Sequence, residues 1–144
     1  MEEPTINDMM EAYALDAVEF AKVNFSIELD YSNDSIEEVE RIASQLFSTI
    51  PKSFFGKLFK KGPGQREIES VCKMLGGYLG EVYRKNMPGN WAVNEELGAI
   101  GINHEDRWLF PPAKVHKRLT NGEEDNLYSF FRVVLAQPSS ESDA

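Results

Sequence analysis

Apolar residues recur at helical spacing at Ile6, Met10, Tyr13, Ala17, Phe20 and Ala21. Thr5 with Asp8 three positions later supplies a start signal, so a first amphipathic helix is expected to about Asn24. Residues 25–33 then alternate briefly between apolar and polar. Asp34 and Glu37 repeat the capping pattern ahead of Ile36, Val39, Ile42, Ala43, Leu46 and Ile50, a second helix that Pro51 closes. Beyond the Gly62-Pro63-Gly64 break, Ile68, Val71, Cys72, Leu75, Leu79 and Val82 mark a third helix from about Gln65 to Asn86. Pro88-Gly89 stops it.

The period changes after Gly89. Trp91 to Glu95, Gly98 to Asn103 and Arg107 to Phe110 read as short strands, separated by turn-forming Glu-Glu-Leu-Gly and Asn-His-Glu-Asp, which predicts two or three antiparallel strands. Pro111-Pro112 opens a short helix through Leu119 that Asn121-Gly122 ends. Asp125 or a neighbour starts a last helix carrying Leu127, Phe130, Phe131, Val134 and Leu135. The expected class is α+β, with about five helices around a small antiparallel two- or three-stranded sheet. Residues 1–137 form one domain in this reading, and residues 138–144 a disordered polar tail.

Composition narrows the picture. A chain of 144 residues, 42% hydrophobic and 27% charged, can bury a core without disulfide or metal staples. The one cysteine, Cys72, cannot form an internal disulfide, and Met1-Glu2-Glu3-Pro4 is acidic where an export signal is basic and then apolar. No membrane span is read, and the cytoplasm is the expected location. The net charge of −9 disfavours nucleic acid, which needs a cationic footprint. Its distribution is uneven: residues 1–50 carry twelve acidic and two basic side chains, residues 51–89 three and eight, residues 90–144 nine and five.

Gly76, Gly77 and Gly80 sit inside the third helix, where together they cost about 2–3 kcal/mol against alanine. Close approach of another backbone, or of the strands with Trp91, offsets that cost in one reading. In the other, a ligand lies against bare backbone with Tyr78 and Glu81 at its rim. The spacing fits neither a dinucleotide fingerprint nor a P-loop, and no cofactor is expected. Glu81, among apolar neighbours, needs a cationic or hydrogen-bonding partner, for which Arg118 and Lys117 are the candidates; a structural ion pair is one reading and a general acid or base in a pocket the other. His104 and His116 have no second histidine or cysteine at ligand spacing, so no metal is expected. Cys72 reads as a core thiol. The segment from Lys52 to Lys61 interleaves Phe54, Phe55, Leu58 and Phe59 with lysines and reads as a docked connector, with protein contact as the alternative.

Leu29-Asp-Tyr-Ser, Gly77-Tyr-Leu-Gly-Glu-Val-x-Arg, Gly89-x-Trp91 and Val115-x-Lys-Arg-Leu-x-Asn-Gly resemble a bacterial family of small domains of unknown function, over most of residues 12–135. The resemblance implies a bacterial origin and transfers no activity. In size and charge the chain is similar to immunity proteins, which neutralise a toxin. The leading expectation is therefore a non-enzymatic acidic binding protein, an immunity-like inhibitor. In it Glu11, Asp16, Glu19, Glu37, Glu38 and Glu40 meet a basic protein partner, a toxin or effector. The alternative is a small enzyme or ligand-binding domain with a pocket around Tyr78, Glu81, Trp91 and Arg118.

Overall fold

Helix α1 (Ile6–Phe25) begins where Thr5 and Asp8 exchange hydrogen bonds. The Thr5 hydroxyl accepts from the Asp8 amide and the Asp8 carboxylate from the Thr5 amide, both at 3.0 Å. It ends at Ser26, whose left-handed backbone (φ 56°) returns its N–H to the Ala21 and Lys22 carbonyls. The computed structural model describes residues 3–49 and 63–136; the expected Lys52–Lys61 connector and the tail at 138–144 lie outside them. Helix α2 (Ser35–Thr49) follows an irregular stretch. Its entry is capped by Ser32 rather than by Asp34: the Ser32 hydroxyl accepts from the Ser35 amide at 3.1 Å, itself held by Asp30 at 2.7 Å.

Helix α3 (Pro63–Asn86) leads into a meander of β1 (Asn90–Asn94), β2 (Ala99–His104) and β3 (Arg107–Leu109), antiparallel in that order. Helix α4 (Pro111–Asn121), a 3-10 turn at Glu123–Asp125 and helix α5 (Leu127–Ala136) complete the described residues. Five α-helices and a three-stranded antiparallel sheet among those residues make the α+β class plain. In register, Trp91 faces Ile102, and Ile102 faces Leu109.

Helix α3 is the centre, packed chiefly against α1 and α4. Its glycines explain how. A side-chain carbon on Gly76 would lie 2.5 Å from Pro112 Cα, and one on Gly77 would lie 3.0 Å from the Met10 carbonyl oxygen. One on Gly80 would overlap the Trp91 indole. The close-packing reading of the glycines therefore holds, with α4, α1 and β1 as the three neighbours. Leu75, Leu79, Val82, Val115, Leu119, Ile42 and Phe131 fill the core between α2, α3, α4 and α5. Met10, Trp91 and Ile102 form a smaller cluster under the sheet.

One charged pair lies inside. Arg118 is 1% exposed and Glu40 8%. Glu40 Oε2 accepts from Arg118 Nη2 at 2.8 Å and Nε at 2.9 Å, while Oε1 accepts from the Leu127 amide at 2.9 Å. The carboxylate thus ties α2 to α4 and to the first amide of α5. Removing one member strands the other without water, which generally costs about 3–5 kcal/mol, whereas an apolar pair of similar volume costs far less.

Gly76→Ala meets backbone, so it should lower stability by about 2 kcal/mol in urea unfolding despite alanine's better helix propensity; an unchanged or raised midpoint would contradict the close approach. Glu40→Ala should cost about 3 kcal/mol, and Glu40→Leu combined with Arg118→Met should recover most of that loss. Equal losses in the single and double variants would show that the pair is not what matters at this position.

Candidate functional site

The four residues expected to share a pocket do not share one. Tyr78 is wholly buried, and its hydroxyl accepts from the Tyr31 amide at 2.7 Å and pairs with the Ser35 hydroxyl at 2.7 Å. Burial pushes its phenol up, and the Tyr31 ring lies 4.7 Å away. Arg118 is committed to Glu40 on another side of the core. Glu81 and Trp91 do meet: the indole N–H donates to Glu81 Oε2 at 2.7 Å. The cation beside Glu81 is Arg84, at 2.8 Å, and neither Arg118 nor Lys117. The reason is local, since Arg84 lies three residues along the same helix. Arg84 also donates to the Gly89 carbonyl at 3.1 Å and stands 3.5 Å from Glu11, so this cluster fastens β1 to α3.

The expected acidic partner surface also divides. Glu11, Asp16, Glu19 and Glu37 are exposed, Glu38 pairs with Arg41 at 2.9 Å, and Glu40 is interior and faces no partner. Cys72 is buried, its thiol pushed up to about 12 by burial and then by Glu69, which leaves it protonated and inert at neutral pH. Among the described residues, no group of three His, Cys, Asp or Glu side chains could hold a metal ion. No helix among them is long and apolar enough to cross a membrane.

An open cleft lies elsewhere, beneath the β2–β3 hairpin. His104 and Arg107 face each other across the two strands, flanking the turn Glu105-Asp106. Directly opposed residues in such a pair put both side chains on one face. Glu105 takes a positive φ of 56°, a conformation that favours glycine. The Asn103 side-chain amide secures it by donating to the Glu105 and Arg107 carbonyls, each at 3.1 Å. The turn is therefore held in a costly shape that fixes the His104–Arg107 pair.

That pair opens onto a cleft of about 120 Å³ lined also by Tyr83, Met87, Ile102 and Val134. Its size suits a small polar group. His104 Nε2 stands 3.9 Å from Glu105 Oε2, and Arg107, exposed, has no ion pair among the described residues. A guanidinium beside an imidazole can hold an anion on two sides and supply a proton. Sequence reasoning weighed His104 only as a metal ligand and passed over Arg107. The two-residue turn was the available signal, because it obliges positions 104 and 107 to pair.

No family model matches the chain, and no solved structure matches it. A curated protein of Aquifex aeolicus, a fructose-1,6-bisphosphatase/inositol-1-monophosphatase, is 34% identical over 89 residues, 59% of this chain. The chain spans about a third (34%) of the length of that relative. This similarity overturns the expectation of a non-enzymatic, immunity-like inhibitor, because the matched protein is named for phosphatase activity. It favours the enzyme or ligand-binding alternative.

Proposed function

We propose that this chain is a phosphate-ester enzyme or the ligand-binding unit of one, and that the cleft under the β2–β3 hairpin receives the phosphoryl group. The observation that carries the reading is the opposed His104–Arg107 pair on a secured turn, open to a cleft of about 120 Å³. The partial similarity to a fructose-1,6-bisphosphatase/inositol-1-monophosphatase supports the substrate class.

The division of labour follows from the side chains. Arg107 presents a planar fork that matches phosphate oxygens, and its charge offsets the dianion. As water attacks phosphorus and the ester P–O bond breaks, His104, on the neighbouring strand, is placed to give a proton to the leaving alcohol. The attacking water loses its proton to solvent, and solvent returns one to the imidazole. Ile102, Met87 and Val134 make the cleft's wall apolar, which strengthens the charged contacts by excluding water. Tyr83 lines the same cleft.

The test is release of inorganic phosphate from fructose 1,6-bisphosphate, inositol 1-phosphate and p-nitrophenyl phosphate, with and without added magnesium, alongside calorimetric titration with inositol 1-phosphate. Turnover or saturable binding of at least one is expected. Arg107→Ala should lower kcat/KM or affinity by about 100-fold. His104→Ala should lower kcat most for inositol 1-phosphate, whose alcohol leaves poorly, and least for p-nitrophenyl phosphate, whose leaving group needs no proton. Failure of all three esters to react and of inositol 1-phosphate to bind would remove the reading. So would full activity in Arg107→Ala.

A further inference from the structure

A second hollow lies on the α4 side of the hairpin and shares Trp108 and Leu109 with the His104–Arg107 cleft as a common wall. Side chains alternate along β3, so Trp108 points away from the face that holds Arg107 and Leu109. Two residues on, Phe110 lies beside it, the ring centroids 5.6 Å apart and the planes within 6° of parallel. The pair has a fixed seat. A side-chain carbon on Gly101, in the middle of β2, would lie 2.6 Å from the Phe110 ring, so that ring rests on bare strand backbone. Glycine inside a strand weakens it, and here it is where a ring must lie flat.

The groove beside this platform measures about 380 Å³ and is lined by Ala99, Trp108, Phe110, Lys114, Lys117 and Phe130. Lys114 Nζ lies 4.2 Å from the centre of the Phe130 ring. Lys117 follows one turn later on α4 and is exposed. No carboxylate lines the groove, although the chain as a whole carries a net charge of −9. On the far side of Lys114 stand Glu123, Glu124 and Asp125, which leaves the Lys117 end as the favourable place for an anion.

Parallel rings, an apolar floor and two ammonium groups at one end match a flat ring system joined to a phosphate. We infer that this groove binds a nucleoside monophosphate, its base stacked on the Trp108–Phe110 platform and its phosphate set between Lys114 and Lys117. Stacking of a base on an aromatic side chain strengthens binding and tolerates any base, because every base has a π-face. The phosphate contacts add affinity that falls as salt rises.

Tryptophan fluorescence tests this directly. The chain has two tryptophans, and Trp91 is 4% exposed, so quenching by an added base reports on Trp108. Titration with AMP should give saturable quenching, while adenosine should bind about 10-fold more weakly and ribose 5-phosphate should not quench. Lys114→Ala combined with Lys117→Ala should weaken AMP by about 10-fold or more and flatten its salt dependence, with the circular dichroism spectrum unchanged. Trp108→Leu should lose the signal and, by calorimetry, at least ~10-fold in affinity. Absence of saturable quenching, or AMP affinity equal in the lysine double variant, would overturn the inference. Competition by ribose 5-phosphate as strong as by AMP itself would do the same, because stacking would then contribute nothing. Arg107→Ala should leave AMP binding unchanged, which separates this groove from the hairpin cleft.

Discussion

Helix α3 can lie at the centre of this fold because its backbone is bare where its neighbours press closest. Gly76 admits Pro112 at the start of α4, Gly77 admits α1, and Gly80 admits the indole of Trp91. A helix interior with three glycines is intrinsically poor, by about 1 kcal/mol for each. The packing it permits more than offsets that, since α1, α4 and the sheet gather on one helix and bury Leu75, Tyr78, Leu79 and Val82 completely. The three-stranded sheet has an apolar face to cover, and this seat covers it. Trp91 lies across Gly80, Asn7 of α1 accepts from the Trp91 amide at 2.8 Å, and Glu81 receives the indole N–H.

The charges divide by the same geometry. Glu40 belongs to an acidic N-terminal run that looks like a solvated face, yet its position in α2 turns it inward to Arg118 and the Leu127 amide. A carboxylate that caps one helix and neutralises a cation on another organises three elements at once. Such a group is spent on architecture. Glu81 and Arg84 play the corresponding part nearer the surface, where they join the third helix to the first strand.

With those groups committed to the architecture, the hairpin carries the proposed phosphoryl cleft. Its two faces differ because the strand period places Arg107 and Leu109 on one side and Trp108 on the other. One side offers an imidazole and a guanidinium above an apolar cleft, the other an aromatic platform with ammonium groups at its end. Both surfaces present cationic side chains with carboxylates close by, Glu105 beside His104 and Glu123 to Asp125 beyond Lys114. A strained, hydrogen-bonded turn on one side and a glycine-seated ring on the other hold these side chains in place.

Local patterns determined most of the architecture. The Thr5–Asp8 box, the apolar stripes of the helices, the Pro-Gly stops and the switch to period two all depend on residues within a few positions of one another, so a linear reading recovers them. The glycines were legible as close packing because their local cost demands a non-local return. Partnership was not legible in the same way. Arg118 with Glu40, Glu81 with Arg84 and Trp91, and Tyr78 with Ser35 are each one of many pairings that composition allows, and only the angles between helices select among them. The two clefts have the same origin. His104, Arg107, Trp108 and Lys114 are ordinary polar and aromatic residues along the chain, and they line clefts because the tertiary structure faces them toward common space that no local pattern describes.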